Sequence, residues 1–332
     1  MKTTLMAQES RQTPIVIAQQ LISNRTICQR LVEKINAFNP YFVYIIGRGS
    51  SDHAGVFAKY LIEVEMGIAV SSSAPSVFSI YNQSVKLDKA LVIVISQSGS
   101  SPDIIAQTKA AKASGALTIA LVNTPNSPLS TVVDAELPLR AGQELAIAAT
   151  KSYLATLSAL LQLIAYWKQD TVLLESLNHL PQQLTAAIEA DAKLSHDFVA
   201  KLSHLVVLGR GFGYAVSREI ALKLKEVCGI HAEAFSSAEF LHGPVTLVEK
   251  SLSIIDVAVD DESQQAHQEI MADVNSRGSC TLNIRLTVDN THPRCMPLII
   301  LQRFYLDIEF IARQMRLDPD SPAGLKKVTK TL

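Results

Sequence analysis

An apolar run followed by Gly-Arg-Gly occurs twice in this chain, 162 residues apart. Phe42–Ile46 leads into Gly47-Arg48-Gly49, and Leu205–Leu208 leads into Gly209-Arg210-Gly211. The same offset carries Gly67-Ile68 onto Gly229-Ile230, Phe78 onto Phe240, and the run Ala90–Ile95 onto Leu252–Val257. A period this long is not that of a solenoid. It indicates a duplicated domain, and 332 residues suffice for two cores. The expected organisation is an N-terminal helical segment at 1–29, one domain at 30–175, a second at 190–315, and a tail at 316–332.

Each half alternates short apolar runs with helix-like stretches. In the first half the runs are Phe42–Ile46, Ile68–Val70, Leu91–Ile95 and Leu117–Val122, with helical patterns over Ala54–Glu65 and Asp103–Ser114 between them. Continuous apolar strands separated by helices indicate an α/β fold with a parallel sheet covered on both faces. Ligands of such sheets sit at the C-terminal ends of strands, near a switch in strand order. The loops after the apolar runs are therefore where chemistry is expected. The N-terminal helix, about Pro14 to Ile35, lies outside the repeat.

Composition narrows the function. Apolar residues make up 48% and charged residues only 18%, with a net charge of −1. Disorder is excluded, and there is no basic excess for a nucleic-acid backbone. So little surface charge indicates large covered cores or surface hidden in an oligomer. The longest apolar stretch, Ser152–Trp167, is short of the ~20 residues that span a bilayer and reads as a buried helix. Cys28, Cys228, Cys280 and Cys295 have neither C-x-x-C nor zinc spacing, so buried, reduced thiols in a cytoplasmic protein are expected.

The first loop, Gly47-Arg48-Gly49-Ser50-Ser51-Asp52-His53, combines close backbone approach with hydroxyl donors. It lacks the third glycine of a dinucleotide fingerprint, and Ser71-Ser72-Ser73 stands where a ribose-binding acid belongs. The second copy also fails the spacing, although Glu233 follows about 20 residues on. After the third apolar run comes Ser96-Gln97-Ser98-Gly99-Ser100-Ser101-Pro102-Asp103. Ser101 suits an N-cap and Pro102 the first helical position. Hydroxyls crowding a helix N-terminus favour a phosphate, and the plain alternative is a polar turn with a cap.

Three further features can carry chemistry. Glu219, Lys223 and Glu226 share one helix face, opposite Ile220, Leu224 and Val227. On spacing alone they form a solvated salt-bridge stripe; the functional alternative is a carboxylate base set by its lysine neighbour. His242, before the Gly243-Pro244 turn, is an acid–base candidate or a structural histidine. His231, Glu233, Glu239 and His242 lack the i, i+4 spacing of a helical metal site, and no metal is expected. The tail from Asp318 is stiffened by Pro319 and Pro322 and carries Lys326 and Lys327. It either frays or closes a site.

Together these segments resemble the sugar isomerase (SIS) family, and more closely the isomerase half of glucosamine-6-phosphate synthase. The matching pieces are Gly49-Ser50-Ser51-Asp52-His53-Ala54-Gly55, Ile95-Ser96-Gln97-Ser98-Gly99 and Glu144-Leu145-Ala146-Ile147-Ala148-Ala149-Thr150-Lys151. More specific are Ala221-Leu222-Lys223-Leu224-Lys225-Glu226, Ile230-His231-Ala232-Glu233 and His242-Gly243-Pro244. The resemblance covers about residues 30 to 330.

It implies two tandem SIS domains, each a five-stranded parallel sheet flanked by helices in three αβα layers. It also implies a homodimer and no cofactor. Ser50, Ser51, Ser96, Gln97, Ser98 and Ser101 would hold the sugar phosphate, with Ile147 and Thr150 lining the site through their backbone. Glu226 would move the proton between C1 and C2, with Glu219 and Lys223 orienting it. The partner subunit's His242 would open the sugar ring. Lys327 would contact the open-chain sugar.

The sequence departs from that pattern in two places: Ala149 stands for a serine and Asp52 for an aromatic residue. The sequence also shows no counterpart of the glutaminase domain, so sugar chemistry without a linked nitrogen source is expected. The tail Asp318-Pro319-Asp320-Ser321-Pro322, continuing to Val328-Thr329, resembles the stand-alone amino-sugar-phosphate deaminase/isomerase branch. The implied substrate is glucosamine 6-phosphate, converted to fructose 6-phosphate and ammonia. An isomerase or deglycase on another sugar phosphate, a non-catalytic sugar-phosphate regulator and a dehydrogenase are the alternatives; no nucleic-acid or membrane partner is implied.

Overall fold

A computed structural model describes residues 3–200 and 202–327. Val328 and Thr329 of the tail motif lie outside the described residues. The chain divides into two compact units. One comprises Ile15–Glu144, Lys151–Asn178 and Lys326–Leu332; the other comprises Met1–Pro14, Leu145–Thr150 and His179–Leu325.

The unit that begins at Ile15 is built on β1 (Phe42–Ile46), β2 (Val70–Ser72), β3 (Ala90–Ser96), β4 (Leu117–Val122) and β5 (Ala135–Pro138). All pair in parallel, in the order β2-β1-β3-β4-β5. Every residue of β3 and β4 is buried, which explains their continuous apolar sequences. One face packs Ile46, Val92, Val94 and Val122 against Ile104 and Ala111 of the helix Pro102–Ala113. The run at Ile68–Val70 yields a strand only from Val70 onward, because Gly67 closes the preceding helix in the left-handed conformation. The helix Lys151–Lys168 is buried along its length through Ala165, as its sequence predicts. Among the described residues no helix is long and apolar enough to cross a membrane.

The other unit carries β6 (His204–Gly209), β7 (His231–Ser236), β8 (Ser253–Val257) and β9 (Cys280–Asn283), parallel in the order β7-β6-β8-β9. This sheet has four strands among the described residues, not the five that the resemblance implied. The reason is visible at the repeat offset. Residues corresponding to β5 fall at 297–300, inside the helix Met296–Gln314, which Pro297 opens from its first turn.

Elsewhere the two copies keep step. The helices Ser50–Met66 and Phe212–Cys228 begin and end 162 residues apart, as do the starts of the helices Pro102–Ala113 and Gln264–Ser276. Their entry residues, Gly49 (φ 57°, ψ −129°) and Gly211 (φ 52°, ψ −122°), share a backbone conformation that residues with a Cβ rarely adopt. The Gly-Arg-Gly signal therefore marks a specific strand-to-helix turn, used twice.

Cys28, Cys228 and Cys295 are buried, and burial pushes each thiol up to about 12. Cys280 departs from the expected burial: it is exposed, because β9 lies at a sheet edge.

Ile93, at the centre of the five-stranded sheet, is fully buried and pairs with Ile45 and Ile119. Ile93→Ala should cost about 2–5 kcal/mol and Ile93→Val about 0.5–1.5 kcal/mol, read from urea midpoints.

Candidate active site

In the five-stranded unit, strand order reverses between β1 and β3, so the loops after these strands flank the switch point. These are Gly47–Gly49, which lead into Ser50 and Ser51 in the first turn of the helix Ser50–Met66, and the Ser96–Ser101 loop. The second is tightly built. Ser96 Oγ accepts a hydrogen bond from Gly99 N at 3.1 Å, and Ser98 Oγ accepts one from Ser100 N at 3.3 Å. Gln97 O accepts from Asn123 N and Thr124 N. Gly99 has φ +59°, and a Cβ there would lie 2.2 Å from Ser127 Oγ. Only glycine fits this corner. Ser101 is the N-cap residue of the helix Pro102–Ala113, yet its side chain makes no capping bond. The hydroxyl of Ser101 is thus not committed to the helix that it begins.

The two loops are joined by an interaction that the sequence reading did not single out. Arg48 donates through Nε to Asp103 Oδ2 at 2.7 Å, and its Nη2 lies 2.6 Å from the same oxygen. The clue available in sequence was an arginine held between two glycines.

The same unit holds Lys327 beside a second unanticipated residue, Glu144. The Glu144 carboxylate is fully buried and accepts from Ser152 N at 3.1 Å and Ser152 Oγ at 2.5 Å, with Lys327 Nζ at 3.5 Å. A cavity of about 650 Å³ borders this edge, lined by Gln97, Asn123, Arg140, Gln143 and Glu144 among others.

In the other unit, the helix Phe212–Cys228 corrects the solvated-stripe reading. Lys223 is 1% exposed and Glu219 fully buried. Lys223 Nζ lies 3.0 Å from Glu219 Oε1 and 2.7 Å from Glu226 Oε2. The spacing was right, but this face is covered, so the ions must satisfy one another. Burial of Lys223 disfavours its charge; the attraction of Glu219 and Glu226 outweighs that and holds its pKa above the ordinary lysine value. Glu226 is 24% exposed, and its Oε1 has no hydrogen-bond partner among the described residues. The trio presents one oxygen of an anchored carboxylate, backed by a fixed cation.

This unit also holds the segment with Ile147 and Thr150. Glu9 accepts hydrogen bonds from Leu145 N and from Ala146 N, the latter at 3.1 Å. Ile147 N donates to Asp320 O at 3.0 Å, so the backbone N–H of Ile147 is engaged by the tail. The Asp320 carboxylate in turn accepts from Leu5 N and Met6 N, at the start of the helix Leu5–Arg11. The tail is thus docked at Asp320 by named bonds, contrary to the frayed alternative at that point. Thr150 is buried, whereas His242 is exposed in the turn after the helix Ser237–Phe240. Among the described residues no three His, Cys, Asp or Glu side chains form a metal-binding group.

A family model for the SIS domain matches residues 42–166 and 198–292. The chain belongs to the SIS domain family. It is 31% identical over 331 residues to the isomerizing glutamine–fructose-6-phosphate aminotransferase of Clostridium tetani, covering 92% of this chain and 54% of that protein. The chain thus spans about half the length of such relatives. A Silicibacter pomeroyi protein described as a candidate phosphosugar isomerase is 36% identical, with a TM-score of 0.90 over 96% of this SIS chain and 100% of that one. The C-terminal domain of glucosamine-fructose-6-phosphate aminotransferase from Francisella tularensis is 26% identical, with a TM-score of 0.84 over 97% of this chain and 99% of that domain.

Lys223 tests the buried trio. Its raised pKa means that the pairing contributes fully below the ordinary lysine value and fades only as pH rises through the raised one. Lys223→Met should therefore destabilise the protein by about 3–5 kcal/mol at pH 7, because it leaves buried carboxylates without their cation. Denaturation of the wild type should show no loss of this contribution between about pH 7 and 9.

Proposed function

We propose that the chain is a phosphosugar isomerase acting on an amino sugar, converting glucosamine 6-phosphate and water to fructose 6-phosphate and ammonia. The observation that carries this reading is the partly exposed Glu226 carboxylate fixed against buried Lys223 and Glu219. Such a carboxylate has one open oxygen and a defined orientation, which suits proton abstraction beside a carbonyl. Kinship with phosphosugar isomerases of known structure and the sequence of the tail support the choice of substrate.

The phosphate is held by Ser50, Ser51, Ser96, Gln97, Ser98 and Ser101, through hydroxyls, the Gln97 amide and the N-terminus of the helix Pro102–Ala113. The partner subunit's His242 assists opening of the ring to the aldehyde. Glu226 takes the C2 proton, electrons move toward C1, and O1 is protonated, giving an enolamine. The proton returns at C1, leaving an imine at C2. Water adds to that imine and ammonia departs. Lys223, kept charged, is a positioning residue with Glu219, and it is not a nucleophile. Lys327, anchored at Glu144, contacts the open-chain sugar, while Ile147 and Thr150 shape its surroundings. The active form is a homodimer in the cytoplasm.

A second reading, in which the nitrogen carries a larger substituent and the released amine is not ammonia, would use the cavity beside Gln97 and Glu144 for that substituent. One panel separates the two. Purified protein should release ammonia from glucosamine 6-phosphate, and Glu226→Gln should lower kcat by about 10²–10⁴-fold with binding retained. Release of a substituted amine in preference to ammonia selects the second reading. Full activity of Glu226→Gln would remove Glu226 as the base.

A further inference from the structure

The helix Pro102–Ala113 presents its N-terminus and the serine loop at the switch point, yet it carries a buried acid in its first turn. Asp103 has a side chain only 4% exposed. A buried carboxylate beside a phosphate would oppose it, since like charges in a poorly solvated site repel strongly. The cation facing Asp103 is Arg48, which is 40% exposed and reaches one oxygen of Asp103 through Nε and Nη2. A guanidinium has five N–H donors, so donors remain beyond those two contacts.

The repeat supplies an internal control. At the 162-residue offset, Ser96, Gln97, Ser98, Gly99 and Ser100 correspond to Ala258, Val259, Asp260, Asp261 and Glu262. Arg48 corresponds to Arg210, but Asp103 corresponds to Gln265. In that copy the loop supplies its own anions: Asp261 Oδ1 accepts from Ser263 N and Ser263 Oγ, and Glu262 takes both terminal nitrogens of Arg294. The serine loop and the Arg–Asp pair occur together in one copy, and both are absent from the other.

We infer that Arg48 is the charge-setting residue of the phosphate loop: it neutralises Asp103, ties the β1 and β3 loops together, and makes the switch point selective for a dianionic phosphate. This rests on the proposed phosphate role of the serine loop. It adds a positioning residue that acts through Asp103.

The sign of two substitutions separates an electrostatic role from a mere brace. A brace fails whichever partner is removed, so Arg48→Ala and Asp103→Ala would weaken binding equally, Asp103→Asn being uninformative because its amide oxygen can still accept from Arg48. In the electrostatic account the two differ. Arg48→Ala exposes the phosphate to the Asp103 charge and should raise the Kd for fructose 6-phosphate about tenfold or more. Asp103→Ala keeps the arginine, removes both the charge and the brace, and should leave Kd unchanged or lower it. Arg48→Lys should recover part of the loss, and Arg48→Ala with Asp103→Ala should bind better than Arg48→Ala alone. The readout is calorimetric titration of the full-length protein with fructose 6-phosphate, with fructose as the uncharged control; the control should not respond to these substitutions. Equal losses in the two single variants, or equal effects on fructose, overturn the inference. Wild-type protein that binds fructose 6-phosphate without turnover would instead count against the proposed activity and leave Arg48 testable. Wild-type protein that binds no sugar phosphate overturns both.

Discussion

A lysine ammonium buried to 1% exposure dictates much of what surrounds it. Lys223 sits in the middle of the helix Phe212–Cys228, where water cannot solvate its charge. An unpaired ion there would be intolerable, so the helix supplies carboxylates one turn before and just under one turn after it, at Glu219 and Glu226. The gain is orientation more than stability, because desolvating such ions offsets most of their attraction. Glu219 is fully committed to the interior. Glu226 is committed through one oxygen only, and the other is left open for chemistry.

The duplicated architecture explains why one chain can separate two tasks. Both copies use the same strand–glycine–helix turn and the same reversal of strand order, so each offers loops at a switch point. The copies then diverge. One places serines after its central strand, whereas the other places Asp260, Asp261 and Glu262 there and satisfies them internally. The second copy instead carries the Glu219–Lys223–Glu226 trio on the helix after its first strand. Duplication supplied two equivalent frames, and side-chain replacement gave them different work.

Much of this was legible in the sequence, for identifiable reasons. The 162-residue offset could be read because glycines at Gly49, Gly67, Gly211 and Gly229 mark helix ends in positive-φ conformations that favour glycine. The helix Lys151–Lys168 was legible from its apolar length alone. The Glu219–Lys223–Glu226 face was legible as a face, but spacing does not say what covers it, so a buried trio passed for a surface stripe. The links from Lys327 to Glu144 and from Asp320 to Leu5 span 183 and 315 residues. No local pattern announces such pairings. The missing fifth strand of the second sheet was hidden for a related reason: Pro297 commits its counterpart to a helix.

The central claim is that Glu226, held by Lys223, moves a proton between C1 and C2 of a sugar phosphate. Its most direct test is hydrogen exchange at carbon, followed by NMR on fructose 6-phosphate incubated with the protein and an ammonium salt in D₂O, so that the C2 imine can form. The account predicts deuterium entering C1 with the wild-type protein, and no entry with Glu226→Gln although that variant still binds the ligand. Exchange at the wild-type rate in Glu226→Gln, or no exchange by a wild-type protein that binds the ligand, would contradict it.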